Sequence, residues 1–156
     1  MGSYQSYALE SASAVDLVVA LYDGILRFLH AANAAVERDD QEGRRAAVKR
    51  ALDIIIHLQA RLRMDVGGRP AQALSEFYAS IFSEILQASQ SASRQKFEHA
   101  IDCVRNVRDA WRQVARDPDL NPIPAQVIEI NSGRRQAGFG GDDFDPENGG
   151  GSRWNA

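Results

Sequence analysis

The sequence predicts an all-α fold, an antiparallel up-down four-helix bundle, on three observations. Apolar residues recur at three- and four-residue steps in four successive stretches of similar length. The connections between those stretches are short and hold breakers or capping residues, so consecutive helices become antiparallel neighbours. The chain of 156 residues suits one domain whose core is large enough to fold without a disulfide or a metal.

The first stretch carries two stripes. Ala14, Val18, Leu21, Ile25, Phe28, Leu29, Ala32 and Val36 form one, and Val15, Val19, Tyr22 and Leu26 form a second beside it. Together they cover an arc of roughly 200° at about 100° per residue, about twice what a surface helix needs. Such a helix requires neighbours on two sides. Asp16, Asp23 and Arg27 make the polar side. Ser13 reads as the N-cap, with Asp16 near the positive end of the dipole, so the helix is expected from about Ala14 to Arg38. Gly24 in its middle costs roughly 1 kcal/mol relative to Ala and reads either as a close backbone approach or as a glycine tolerated by chance. Residues 1–12, with Tyr4 and Tyr7, are too few to form a helix alone and are read as a short N-terminal capping segment.

Asp39-Asp40 ends the first helix and caps the second, expected from about Gln41 to Met64. Its stripe is Val48, Leu52, Ile55 and Leu62, broadened by Ala47, Ala51, Ile54 and Leu58 on one edge and Ile56 on the other. Gly67-Gly68 breaks the pattern, and Pro70 suits the first turn of a third helix running to about Ser89. That helix carries Leu74, Phe77, Tyr78, Ile81 and Ile85, with Phe82 and Leu86 on its flank. Ser91 to Ser93 supplies a turn and an N-cap. The fourth helix, Arg94 to Arg116, uses Phe97, Ala100, Ile101, Val104, Val107, Trp111 and Val114 until Asp117-Pro118 stops it. The bundle is therefore placed at 13–117, with a stable core ending near Arg116. Residues 118–156 turn glycine-rich and acidic and cannot bury enough apolar area to offset ordering, so a disordered tail is expected. Within it, Pro124 to Ile130 reads as either linker or a short linear motif.

Charge and composition narrow the function classes. The net charge of −3 divides into −4 from Asp117 onward and +1 before it, and neither part is basic enough for a nucleic-acid surface. The single Cys103 excludes an internal disulfide and fits a reducing compartment. No stretch approaches the ~20 apolar residues of a membrane span, and residues 1–10 lack the pattern of a signal peptide. Cytoplasmic localisation without membrane insertion is the expectation.

The search for chemistry is mostly negative. A di-iron bundle enzyme needs Glu-x-x-His on two helices, but Arg27, Ile54 and Lys96 precede His30, His57 and His99 by three residues. The three histidines read as solvated, and Glu98-His99 point about 100° apart along a helix. Cys103 reads as a small buried hydrophobe with no histidine on its face. Gly67-Gly68 lacks the ending of a phosphate loop, and Asp16 with Asp23 reads as a solvated pair. The expectation is a protein that is not an enzyme and has no metal site and no cofactor.

Surface remains. Val15, Val19, Tyr22, Leu26, Ile54, Ile56, Phe82 and Leu86 widen the apolar arcs beyond the main stripes. Either each helix simply touches two neighbours, or the surplus forms a groove for a partner's amphipathic helix or extended segment. Arg108, among apolar positions of the fourth helix, reads as a snorkelling side chain or as a contact to a partner's acid.

Four pieces in order then carry a resemblance to a known family: Tyr4-Gln-Ser-Tyr7; Ser11-Ala-Ser13 with Leu17 and Leu21-Tyr-Asp-Gly24; Ala51, Ile54-Ile55 and Leu58; and Gly67-Gly68 with Ala71, Leu74, Phe77-Tyr78, ending in Arg108-Asp-Ala-Trp111. The chain resembles the FliS-type flagellin export chaperones of bacteria over roughly residues 1–114. It departs from them with Ala14 in place of a proline and with Ser83-Glu84 in place of two arginines. The resemblance implies a cytoplasmic bundle that binds the C-terminal segment of flagellin, prevents its premature polymerisation and supports delivery to the flagellar export gate. It also implies that the N-terminal tyrosines contact the client. Tyr4, Tyr7, Val15, Val19, Tyr22, Leu26, Ile54, Ile56, Phe82 and Leu86 are accordingly the candidate partner-binding residues. Tyr4 and Tyr7 are expected to lie over part of the groove until the client displaces them. The alternative reading is a helical adaptor or regulatory protein with a different client.

Overall fold

A computed structural model describes residues 3–117 and 126–130, with side chains from Ala14 onward. Among these residues the elements are α1 (Ser3–Glu37), α2 (Gln41–Ala60), α3 (Gly68–Gln90) and α4 (Arg94–Arg116). The expected antiparallel up-down four-helix bundle is present. Each helix packs on its sequence neighbours, and α4 closes the ring against α1. The antiparallel register is written in polar contacts. Arg94 at the start of α4 reaches Glu37 at the end of α1 at 3.7 Å, while Arg108, further along α4, reaches Asp23 at 2.9 Å.

The caps read from sequence hold the helix starts. The Asp40 carboxylate accepts from Gly43 N–H at 2.9 Å, and the Ser93 hydroxyl accepts from Lys96 N–H at 3.2 Å. Each satisfies one of the orphan donors of a first turn. At Gly24 the close neighbour is a side chain rather than backbone: a Cβ there would stand 3.1 Å from Ile54 Cδ1 on α2, which would have to shift by a few tenths of an ångström.

Three expectations need correction. Ser13 is not an N-cap, because the backbone is helical from Ser3 without a break. A segment too short to nucleate a helix can still propagate one already formed, at one hydrogen bond per residue added. Residues 3–13 contain neither Gly nor Pro to interrupt that growth. The side chains of Tyr4 and Tyr7 lie outside the described residues. Second, α2 ends at Ala60 rather than Met64, so Leu62 leaves the helical stripe and Met64 and Val66 become exposed.

The third correction concerns the tail. Residues 126–130, assigned to a disordered segment by composition, dock on the turn between α2 and α3. Arg63 N–H donates to Val127 C=O at 2.8 Å, and Glu129 N–H donates to Arg61 C=O at 2.9 Å. These bonds surround an antiparallel bridge between Leu62 and Ile128. Val127 and Ile128 are buried in the same core cluster as Leu58, Leu62 and Ala71, and Ile130 packs against its edge. Gly67 permits the approach, since a Cβ there would lie 3.3 Å from Gln126 O and only 2.5 Å from Arg63 O. Low apolar content over a whole tail does not prevent five residues of it from completing a core. The rest of 118–156 lies outside the described residues.

At the centre, Tyr22 of α1 and Tyr78 of α3 meet across the diagonal of the bundle. Their hydroxyls are 2.7 Å apart and their ring centroids 6.3 Å. Both are essentially inaccessible, at 0% and 1% exposure. Burial pushes the Tyr22 hydroxyl up to about 12, partly offset by hydrogen bonds with Tyr78 and Trp111. Burial, reinforced by the neighbouring Tyr22, pushes the Tyr78 hydroxyl up further still.

Two expected outcomes follow. Ile128→Asp cannot bury its carboxylate, so the segment undocks; the loss is bounded by that undocking, about 2–3 kcal/mol. Truncation after Asp117 therefore gives a similar loss in urea denaturation, and a truncated chain as stable as the full one would refute the docking. In the tyrosine pair, Tyr22→Phe orphans both the Tyr78 hydroxyl and the Trp111 donor, whereas Tyr78→Phe leaves Tyr22 still bonded to Trp111. Tyr22→Phe is thus the costlier change, within about 1–3 kcal/mol. Because both folded-state hydroxyls titrate above their unfolded value near 10, their contribution is full below pH ~10 and is lost as pH rises from there through about 12. With Tyr4 and Tyr7 replaced by Phe, so that only the buried pair absorbs, tyrosinate absorbance should appear together with loss of helical circular dichroism, not before it.

Candidate functional site

An apolar cleft on the described surface lies between α2 and α3. It encloses about 250 Å³ and is lined by Ile55, Ile56, Gln59, Ser75, Tyr78, Ala79 and Phe82. Its origin is local. Ile55 faces the core, and Ile56, about 100° further round α2, is turned outward and left 54% exposed. On α3 the facing positions are Ser75 and Ala79, one turn apart and too small to fill the space. Phe82 forms the far wall, and Tyr78, already committed to Tyr22, forms the floor. Gln59 Nε2 donates to Ser75 Oγ at 2.9 Å and closes one end. Leu86, a turn beyond Phe82 and 37% exposed, continues the apolar line along α3.

The lining residues offer no reactive group. The one titratable side chain among them is Tyr78, whose hydroxyl is buried, paired and held far above its usual range. The cleft is shaped to receive apolar side chains.

The structure separates the residues expected to bind a partner. Ile56 and Phe82 line the cleft together, and Leu86 extends it. Val15, Tyr22 and Leu26 do not belong to it: they are 0%, 0% and 6% exposed and sit in the core. The reason is the wide arc of α1, whose second stripe is consumed by packing because α1 borders both α2 and α4. Val19 and Ile54 are half-buried against the core, Ile54 over Gly24. Sequence reasoning missed Gln59, Ser75 and Ala79, since small and polar residues matter here for the room they leave.

Two polar groups also depart from expectation. Arg108 neither snorkels nor waits for a partner's acid. Its guanidinium bonds Asp23 at 2.9 Å and Asp109 at 3.2 Å, and the Asp23 bond raises its pKa. Arg112 stands 3.7 Å from the same Asp23, so that carboxylate is not simply solvated. Cys103, in turn, does share a face with a histidine. His99 precedes it by one helical turn, and its ring nitrogens lie 3.8 and 3.9 Å from Sγ. His99 also contacts the Glu84 carboxylate of α3. Partial burial, with Glu84 and Asp102 nearby, pushes the Cys103 thiol up. The spacing of four between His99 and Cys103 was legible; Glu84 joins them because α3 and α4 pair antiparallel about the turn at 91–93.

The family model described as flagellar protein FliS matches residues 1–118. The chain is 30% identical to the flagellar secretion chaperone FliS of Vibrio cholerae over 136 residues, covering 83% of this chain and 98% of that protein. It is 31% identical to the protein of the same name from Campylobacter jejuni, over 72% of this chain and 90% of that one. The Salmonella typhimurium protein of that name is 32% identical over 69% of this chain and 81% of its own length.

Proposed function

The chain belongs to the flagellar protein FliS family, and from that premise we propose that it is a cytoplasmic, non-catalytic flagellar export chaperone. Its client is the C-terminal region of flagellin, which it keeps from polymerising before delivery to the export gate. The observation that carries this reading is the α2–α3 cleft, with Ile56 and Leu86 exposed at its edges and Phe82 as its wall. An apolar cleft of about 250 Å³ suits the side chains of one face of an amphipathic helix, anchored at three- and four-residue steps. Residues so exposed on a bundle surface are unfavourable in water and become favourable when a client covers them. No helix among the described residues is long and apolar enough to cross a membrane.

The second element of the proposal is the start of α1. Its backbone stays helical from Ser3, and α1 with 35 residues outruns α2 with 20. At about 1.5 Å per residue that difference corresponds to roughly 20 Å of helix. Tyr4 and Tyr7 belong to this extension, three residues apart in sequence. The proposal gives them the role of gripping the client.

Binding of a flagellin C-terminal peptide, followed by calorimetry, tests both parts. Ile56→Asp and Phe82→Asp should each weaken the complex at least about tenfold, or about 1.4 kcal/mol, with the circular dichroism of the free protein unchanged. Tyr4→Ala/Tyr7→Ala should weaken it too and leave helical content intact; tighter binding would mean that the tyrosines cover the cleft. Absence of any complex with the unmodified chain at micromolar concentration would favour an adaptor with a different client.

A further inference from the structure

We infer that Glu84, His99 and Cys103 form a binding site for a borderline-soft divalent cation of the zinc class, bridging α3 and α4. One ligand atom from each residue lies within 4.8 Å of the other two. His99 and Cys103 stand one turn apart on α4, a spacing that aims both side chains at the same point outside the helix. Glu84 reaches that point from α3, where its carboxylate contacts His99 Nδ1. Sulfur, nitrogen and oxygen donors of this kind are those zinc accepts, at about 2.3, 2.0–2.1 and 2.0–2.2 Å. A tetrahedral ion with such bonds separates its ligand atoms by roughly 3.5 Å. The observed 3.8 and 3.9 Å between Cys103 Sγ and the His99 ring nitrogens are already close to that edge. The Glu84–His99 contact has to open to admit the ion, with the three ligand atoms starting within 4.8 Å of one another.

The surroundings allow the adjustment. The His99 side chain is 67% exposed, so solvent can take over its contact as it turns toward an ion, while Glu84 is 23% exposed. Glu84 and His99 border a shallow hollow of about 390 Å³ whose wall also includes Ser80, Ser83, Gln87 and Lys96. That space leaves a fourth position for water, the arrangement of a zinc site with three protein ligands. Loading the site exchanges protons for the metal: the thiol loses its proton, and any proton shared between His99 and Glu84 is released to solvent. Thiolate and carboxylate then offset the charge of the ion, leaving water as the neutral fourth ligand. Lys96, the cation on the wall, opposes binding by Coulomb repulsion. The site lies on the α3–α4 side of the bundle, and none of its ligands lines the α2–α3 cleft, so the inference does not rest on the chaperone reading.

Cobalt serves as the probe, added to the untagged full chain in the presence of a phosphine reductant. The expected result is one Co²⁺ per chain, with a thiolate-to-cobalt charge-transfer band in the near ultraviolet that Zn²⁺ displaces. Cys103→Ser should abolish that band, and His99→Ala and Glu84→Gln should each weaken binding at least about tenfold, the scale set by even the outer-sphere partners of a metal ligand. Zn²⁺ should raise the melting temperature of the unmodified chain and not that of Cys103→Ser. Lys96→Ala should bind more tightly. Absence of the band in the unmodified chain, or a stoichiometry and affinity unaltered by Cys103→Ser, would reduce the cluster to a His99–Glu84 ion pair and overturn the inference.

Discussion

The hydroxyl pair of Tyr22 and Tyr78 is the constraint on which the bundle depends. In a ring of four helices, α1 and α3 are diagonal and share few contacts of their own. Their relation is fixed where two phenols meet 2.7 Å apart in a site with essentially no access to water. A buried hydroxyl without a partner is costly, and only one axial and rotational setting of α3 satisfies both. A purely aliphatic contact would tolerate sliding by a residue or a turn. The tyrosines do not.

That setting decides the surface as well as the core. With Tyr78 turned inward, Ser75 and Ala79 are carried to the α2 side of α3, and Phe82 follows one turn later. Their small neighbours leave the cleft open, and Ile55 and Tyr78 give it a rigid floor. The same rotation presents Glu84 to α4, opposite His99. Core register, apolar cleft and side-chain cluster are thus three consequences of one orientation. Changing it would disassemble all of them together.

The turn between α2 and α3 is covered by chain that composition assigned to solvent. Val127 and Ile128 cover Leu62 and Ala71, where the turn between α2 and α3 leaves apolar side chains without a helix above them. Two backbone hydrogen bonds hold the segment in register. The core therefore includes two residues past the last helix and is discontinuous in sequence.

The sequence by itself determined the number, order and polarity of the helices and the caps at Asp40 and Ser93. Periodicity, capping chemistry and glycine all act within a few residues, so they are legible locally. It also marked Ile56, Phe82 and Leu86 as surplus to a core stripe. Only the tertiary structure decided which surplus was real. Val15, Tyr22 and Leu26 carry the same signal, but α1 borders two helices and spends both stripes on packing. Likewise, no local pattern tells a helix whether to stop at Ser13 or to continue to Ser3, since propagation depends on the turn already formed. Glu84 meets His99 and Cys103, and Ile128 meets Leu62, across sequence separations that periodicity does not span. Burial and long-range pairing are properties of assembled elements, and a single chain read in order contains only one side of each.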